Sequence, residues 1–158
     1  MLARTSTPPD SAKLSEFLCF AFYSANLAFG RAYRPILDEA GLTYTQYVTL
    51  VALSEREGQT VGELGEKLFL ESNTLTPILK KLEALGLVER RRDPADERQV
   101  RVNLTPAGRK LRQKVESSAS KLVEATGLGA DFSELQQTVS RLRDNLLRST
   151  QAGGPGSS

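Results

Sequence analysis

The sequence predicts a mainly helical protein that carries one small β-wing, and three observations support this fold class. Apolar side chains recur at helical spacing along most of the chain from Lys13 onward. Helix start signals, each a capping residue followed three positions later by Glu or Gln, recur between these stripes. The arginine-rich stretch at residues 87–104 instead has an extended pattern around a turn.

The first predicted helix runs from Lys13 to about Glu39 and has a broad apolar face. Pro35 lacks the amide hydrogen that a helix ladder needs, so we expect a kink or a new helix start there. Gly41 is expected to end the helix. Residues 1–12 are rich in Pro and Ser and have little to bury, so we expect a disordered arm.

Three further helices are predicted in the middle of the chain. Thr43 with Gln46 and Thr60 with Glu63 have the spacing of a capping box, in which two amide groups at a helix start are satisfied reciprocally. A third start signal lies at residues 72–74, and apolar residues at helical spacing follow it.

Residues 60–105 have the element order of a winged helix-turn-helix. Two short helices precede strands expected at residues 87–92 and 99–104, with residues 93–96 as the turn between them. A helix-turn-helix followed by a basic hairpin can place its second helix in a DNA groove. The sequence therefore predicts a winged helix-turn-helix DNA-binding domain, which we bound at residues 43–105.

Two more helices are expected after this core. Thr105 and Pro106 have the pattern of a cap followed by proline at the first helical position. The last helix is expected to start at Asp131, after a break at Gly127 and Gly129.

The flanking helices can be interpreted in two ways. They can pack on the winged core, or they can pair with a second copy of the chain. Long apolar helices at both ends of a small core favour a homodimer, because a two-fold dimer matches the symmetry of an inverted-repeat operator on double-stranded DNA. We therefore assign residues 13–42 and 106–149 to N- and C-terminal dimerisation helices and expect residues 150–158 to be a disordered tail.

The composition of the chain excludes several classes of protein. The 158 residues include no histidine and one cysteine, so the commonest general base, the commonest metal ligand and an intrachain disulfide are all missing. We expect no cofactor, no metal and no enzymatic activity. No run of apolar residues is long enough for a membrane span and no signal-peptide pattern opens the chain, so we expect no membrane partner and a cytoplasmic protein.

Four segments resemble the MarR family of winged-helix repressors, and specifically its OhrR branch of organic-hydroperoxide sensors. They are residues 18–25, 42–47 and 74–83 and the Asp-Glu-Arg motif at residues 96–98. The similarity spans roughly residues 13–148 in the order and spacing of the family. The motif at 96–98 indicates the wider family, whereas a cysteine followed by tyrosines at these spacings indicates the peroxide branch.

The resemblance implies that Cys19 is the redox sensor and that Tyr23, Tyr33 and Tyr44 hydrogen-bond its sulfur. Cys19 and Tyr23 are four residues apart and share a helix face. Tyr33 lies fourteen residues beyond Cys19, about 21 Å along a straight helix, so it cannot reach the sulfur of its own chain. Tyr33 and Tyr44 would then serve the thiol of a partner chain, where phenol donors stabilise the thiolate that attacks a peroxide.

In an alternative, structural interpretation, the same residues only contribute to packing. A free cysteine is often a small buried hydrophobic residue with inert sulfur, and tyrosines can be core residues. The matching tyrosine spacings favour the sensor, while Tyr47 lies outside them and is expected in the core. Aromatic neighbours of Cys19 suit an apolar hydroperoxide, and they are Phe17, Phe20 and Phe22.

Some members of this branch have a second cysteine that resolves the oxidised sensor, and this chain has none. It therefore follows the one-cysteine type. The sulfenic acid formed on Cys19 would be capped by a small cellular thiol or proceed irreversibly to higher oxides.

The side chains expected to contact DNA divide by chemistry. Polar residues and a proline at the start of the second helix can contact base edges, thymine methyls or phosphates, while long basic side chains mostly meet phosphates. Arg98 at the wing tip is expected to probe the minor groove with Asp96 orienting it, as the family motif implies. Arg91 and Arg101 are expected to be solvated charges. The whole expected set is Ser72, Asn73, Thr74, Thr76, Pro77, Lys80, Lys81, Arg90, Arg92, Asp96 and Arg98.

The sequence thus predicts a repressor that senses organic hydroperoxides through oxidation of Cys19 and then releases its operator. One alternative is a MarR-type repressor released by a small-molecule ligand, with Cys19 a bystander. A thiol peroxidase is the other, although the chain lacks a resolving cysteine or a histidine base for such catalysis.

Overall fold

The computed structural model describes residues 13–152, and the expected arm at residues 1–12 lies outside them. The prediction of a mainly helical fold with a small β-wing is confirmed. A single 3-10 turn at Leu14–Glu16 precedes the other elements, which are α1 (Leu18–Ala40), α2 (Tyr44–Glu55), β1 (Gln59–Thr60), α3 (Val61–Leu68), α4 (Ser72–Ala84), β2 (Val88–Arg92), β3 (Val100–Leu104), α5 (Pro106–Ala125) and α6 (Asp131–Ala152).

Helix α1 differs from the prediction at its start. It begins at Leu18, because the chain from Lys13 first forms the separate 3-10 turn. No new helix begins at Pro35, which lies inside α1. Pro35 is exposed, so its ring faces solvent and water can replace the missing hydrogen bond of the helix ladder. Gly41 ends the helix as expected, in the left-handed conformation with φ of 68°.

Both predicted capping boxes are confirmed. The amide of Gln46 donates to the Thr43 hydroxyl at 3.2 Å, and the amide of Thr43 donates to the Gln46 side chain at 2.9 Å. The same reciprocal pair joins Thr60 and Glu63, with distances of 2.8 and 3.1 Å. These contacts fix the starts of α2 and α3 and therefore the path of the chain into the helix-turn-helix.

The turn between α3 and α4 depends on a glycine and a left-handed residue. Phe69 adopts a φ of 56° directly after α3. A Cβ atom on Gly65 would lie 2.6 Å from the carbonyl oxygen of Leu70, so the close approach of the two backbones requires glycine there. Glu71 precedes α4 without a side-chain capping bond.

The sheet has three antiparallel strands in the order β1-β3-β2, one strand more than the sequence predicted. β1 has only two residues and therefore no alternating pattern to read. Gln59 pairs with Val102, and its buried side-chain amide donates to the carbonyls of Ala52 and Arg56, both at 2.7 Å. The turn of the wing, from residue 93 to residue 99, is longer than the four residues expected.

One apolar core joins the helix-turn-helix to the wing. Its fully buried apolar side chains come from α2, α3, α4, both long strands and α5, and they are Leu50, Leu53, Leu64, Leu75, Leu79, Leu82, Val88, Val102 and Val115. Burial of each such side chain stabilises the fold by roughly 1.5–3 kcal/mol. Tyr47 is also in this core, with 7% of its surface exposed, as the sequence predicted.

The described residues divide into two compact units, up to Ser118 and from Ala119 onward. In the second unit, α6 exposes leucines that include Leu135, Leu146 and Leu147. This helix extends to Ala152 and so includes the first three residues of the predicted tail. The hydroxyls of Ser149 and Thr150 bond to carbonyls of the preceding turn. None of the helices in residues 13–152 has the length and apolar character needed to cross a membrane.

Candidate DNA interface and thiol site

The exposed side of α4 gathers the residues expected to read DNA. Leu75, Leu79 and Leu82 are fully buried and hold the opposite side of the helix on the core. Six of the exposed residues belong to the predicted set, namely Ser72, Asn73, Thr74, Pro77, Lys80 and Lys81. Thr76 is half-buried, and its hydroxyl donates to the Ser72 carbonyl at 2.7 Å, which leaves the hydroxyl oxygen to accept from a ligand.

The wing tip presents Arg98, whose side chain is 91% exposed. Asp96 Oδ1 accepts from both the backbone amide of Arg98 at 3.1 Å and its Nε at 3.2 Å. Arg92 is exposed nearby, and its Nη1 donates to the Glu97 carbonyl at 3.2 Å. The carboxylate of Asp96 therefore does orient the Arg98 guanidinium.

The base of the wing contains a buried carboxylate that the sequence analysis missed. Asp93 accepts from the Ala95 amide at 2.9 Å and from Arg101 Nε at 2.7 Å. These two bonds, that of Ala95 first, lower the pKa of Asp93 below its ordinary value. Arg101 Nη1 also donates to the Gly58 carbonyl at 2.7 Å. Arg101 is thus a structural tie between β3 and the segment before β1, and only the hairpin register could have revealed it.

Arg90 lies against α4. Its Nε and Nη2 donate to Glu83 Oε2 at 3.0 and 2.7 Å, and its backbone amide donates to Glu83 Oε1 at 3.2 Å. The side-chain bonds from Arg90 are the main cause that lowers the pKa of Glu83. The sequence analysis placed Arg90 among the phosphate ligands, and the structure shows that two of its guanidinium nitrogens donate to Glu83.

Cys19 is exposed in the first turn of α1. Tyr23 is 61% exposed on the same helix, and its ring centroid lies 6.2 Å from that of Phe20. Within residues 13–152, no hydrogen bond joins Tyr23 to the sulfur of Cys19. The cysteine is therefore exposed in the single chain, whereas the structural interpretation expected a buried one.

Tyr33 and Tyr44 lie together at the other end of α1. Their ring centroids are 5.3 Å apart in an edge-to-face arrangement, and the Tyr33 centroid lies 6.4 Å from that of Tyr47. Burial raises the pKa of Tyr33, and the neighbouring Tyr44 raises it further, so its phenol stays protonated at neutral pH. Neither hydroxyl of this pair has a hydrogen-bond partner in the part of the chain that the structure describes.

The two phenols line an open groove of about 730 Å³. Its wall combines apolar side chains such as Leu27 and Phe29 with the guanidinium groups of Arg31 and Arg34. Cys19 is not part of this groove. Because α1 is continuous, the fourteen residues from Cys19 to Tyr33 span roughly 21 Å. The structure therefore brings Tyr33 and Tyr44 together and keeps both away from the cysteine of their own chain.

The described residues contain no cluster of three or more potential metal ligands among His, Cys, Asp and Glu.

Comparison with known proteins decides the family. The model of a family described as transcriptional regulator SarA/Rot matches residues 31–115. The organic hydroperoxide resistance transcriptional regulator of Bacillus subtilis is 38% identical over 138 residues, which cover 87% of this chain and 94% of the relative. The chain belongs to the MarR family, in its OhrR branch. It is a DNA-binding transcriptional regulator of that type.

Two further similar proteins support this family assignment. The transcriptional regulator TtmR of Methylorubrum extorquens is 47% identical over 138 residues, covering 87% of this chain and 71% of TtmR. A solved structure of reduced AbfR bound to DNA has a TM-score of 0.66 and 39% identity, with 82% of this chain and 94% of AbfR covered. AbfR is a protein of Staphylococcus epidermidis.

Proposed function

We propose that this regulator is a homodimeric repressor that binds an inverted-repeat operator and releases it when an organic hydroperoxide oxidises Cys19. One observation carries the proposal: the phenol hydroxyls of Tyr33 and Tyr44, which lack partners in the described residues, line a groove that the Cys19 of the same chain cannot reach. The groove accordingly has donors for a sulfur that only a second chain can supply.

A two-fold dimer supplies that sulfur. In an isologous interface, each chain gives the partner the same surface that it receives, so two equivalent thiol sites form. Helix α1 and the preceding turn expose large apolar side chains, and such a patch often marks an interface with another chain. These side chains are Leu14, Phe17, Leu18, Leu27 and Phe29. Residues 13–42 and 106–149 are the proposed dimerisation regions, and residues 43–105 the DNA-binding domain.

The chemistry at Cys19 follows from thiolate reactivity. Phenol donors stabilise the thiolate, which attacks the peroxide oxygen, breaks the O–O bond and leaves a sulfenic acid and the corresponding alcohol. The chain has no second cysteine, so a small cellular thiol condenses with the sulfenic acid and water leaves. The modified sulfur no longer accepts from both phenols, and the dimer shifts to a state whose two reading helices do not match the operator.

The names and solved forms of the relatives support this function. The Bacillus subtilis protein is called an organic hydroperoxide resistance regulator, and AbfR has been solved in a reduced, DNA-bound form. On this proposal, the exposed side of α4 reads base edges, Lys80, Lys81 and Arg92 meet phosphates, and Arg98 probes the minor groove.

Release by a small-molecule ligand is the second candidate. A groove of about 730 Å³ has the size of an ordinary ligand site. Its two arginines outnumber the one lining carboxylate, that of Asp38, and would suit an acidic ligand. The thiol peroxidase alternative has no comparable support, because the chain contains neither a resolving cysteine nor a histidine.

The deciding experiment uses a duplex that the protein itself selects from a random-sequence pool. Binding to this duplex is measured before and after one equivalent of tert-butyl hydroperoxide, and mass spectrometry follows Cys19. The proposal expects loss of binding in step with oxidation of Cys19. Full oxidation without release would reject the sensor role, and catalytic turnover of the peroxide with a dithiol would support the peroxidase instead.

A further inference from the structure

The contact between Glu83 and Arg90 joins the reading helix to the wing. Glu83 lies in the last turn of α4, and Arg90 is the third residue of β2. We infer that these two residues form a clamp that sets the angle between α4 and the wing, and that Arg90 is a positioning residue for DNA binding rather than a phosphate ligand.

The geometry of the clamp leaves little freedom. Both carboxylate oxygens of Glu83 are used, one by the backbone amide of Arg90 and the other by two nitrogens of its guanidinium. Two guanidinium nitrogens converge on one oxygen while the backbone amide bonds the other, so three hydrogen bonds restrain the Glu83 carboxylate. The side chains are 38% and 24% exposed, so solvent only partly screens the pair.

The clamp joins the two elements that carry the residues expected to contact DNA. Lys80 and Lys81 precede Glu83 on the exposed side of α4, while Arg98 lies at the far end of the hairpin that begins with β2. The bond from Arg101 to Gly58 already ties β3 to the segment before β1. Arg90 ties the other long strand to α4, so the helix and the wing approach the duplex as one rigid body.

A neighbouring ion pair provides a matched control. Arg91 Nη2 lies 3.0 Å from Glu89 Oε2, but both residues belong to β2 and their side chains are 75% and 56% exposed. This pair links no two elements. Glu89→Gln removes a carboxylate beside the same hairpin without loosening the clamp, and it therefore reports the purely electrostatic effect of one negative charge less.

The experiment compares Glu83→Gln, Arg90→Lys and their double variant with the Glu89→Gln control. Affinity is measured for the duplex that the wild-type protein selects and for a scrambled duplex of equal length. Arg90→Lys is informative because lysine keeps the positive charge that a phosphate needs, yet cannot reproduce the fork that grips Glu83.

The clamp predicts that each single variant binds the selected duplex about fivefold more weakly, the size expected for a charged hydrogen bond that solvent partly screens. The double variant should be no weaker than either single one, since the two residues act as one unit. Binding to the scrambled duplex should not fall below the wild-type level. Glu89→Gln should bind both duplexes at least as well as the wild type.

Three results would overturn the inference. Wild-type affinity in Arg90→Lys would show that charge alone matters, as for a phosphate ligand. Unchanged or tighter binding in Glu83→Gln would show that the carboxylate only repels DNA. Equal losses of affinity for both duplexes, with a matching loss of helical circular dichroism, would show that the pair contributes only to the general stability of the fold.

Discussion

Tyr33 of α1 and Tyr44, the first residue of α2, meet edge to face with an interplanar angle of 68° and ring centroids 5.3 Å apart. The short link between the helices brings them together. Gly41 turns the chain in the left-handed conformation, and the capping box that starts at Thr43 sets the direction of α2. Local sequence signals thus place two phenol donors side by side at the rim of one groove.

Cys19→Ser should bind the selected duplex normally and should no longer release it after treatment with an organic hydroperoxide. The hydroxyl of serine does not attack the O–O bond, and the chain has no other thiol. Duplex binding at rising peroxide concentration is the measurement. Release of this variant at the wild-type dose would exclude Cys19 as sensor, and release by an acidic small molecule would favour the ligand candidate.

Arg98→Ala should weaken binding to the selected duplex by about 1–3 kcal/mol, the range for a specific DNA contact. The side chain is 91% exposed and is oriented by Asp96, so its loss removes a probe without disturbing the core. Fluorescence anisotropy at physiological salt measures the change.

The matched control for the wing tip is Arg91→Ala on the same hairpin. Within the described residues, Arg91 forms an ion pair with Glu89 of the same strand. Its substitution by alanine is expected to change the affinity by less than about 0.5 kcal/mol. Similar losses in the two variants would indicate that the wing contributes general positive charge rather than a specific contact at Arg98.

Glu63→Gln should make the stability of the protein less sensitive to acid. The hydrogen bond from Arg56, followed by that from the Thr60 amide, lowers the pKa of Glu63 from 4.5 to about 2. A lowered folded-state pKa contributes stability that is present above pH 4.5 and is lost as the pH falls toward 2. Glutamine can keep the capping box but does not titrate in this window.

Urea unfolding between pH 6 and pH 2.5 measures this effect, at intervals of about half a unit. Glu66→Gln, on the same helix but outside the capping box, serves as the control and should follow the wild-type curve. Parallel curves for Glu63→Gln and the wild type would show that the capping carboxylate does not link stability to pH.

The sequence predicted features that depend on a few neighbouring residues and missed those that depend on pairing across the chain. The capping boxes at Thr43 and Thr60 and the stop at Gly41 are local, and all three are confirmed. The partners of Arg90 and Arg101 were not predicted, because they depend on how β2 and β3 pack on α4 and on the segment before β1.

The proposed thiol site was predicted from the sequence only in part. Spacing along α1 and the resemblance to the peroxide sensors were enough to separate Tyr33 from its own Cys19. They could not show that the Tyr33 ring contacts both Tyr44 and Tyr47, or that Tyr33 and Tyr44 line a groove. Those properties follow from the angle between α1 and α2, which no short motif encodes.

In the proposed dimer, each thiol site takes its cysteine from one chain and its tyrosines from the other. Mixed dimers, purified with a different tag on each chain, test it through the rate at which one remaining thiol reacts with hydroperoxide. Tyr33→Phe removes a phenol donor with little change in volume. The control is Tyr47→Phe, which alters a buried tyrosine beside the same ring and should leave the rate unchanged.

Two arrangements of the same pair of substitutions are compared. With Cys19→Ser in one chain and Tyr33→Phe in the other, the remaining thiol faces an intact Tyr33 and should react at the wild-type rate. With both substitutions in one chain, the remaining thiol of the wild-type chain faces the phenylalanine and should react more slowly. Equal rates in the two arrangements, or the reverse order, would contradict a site shared between subunits.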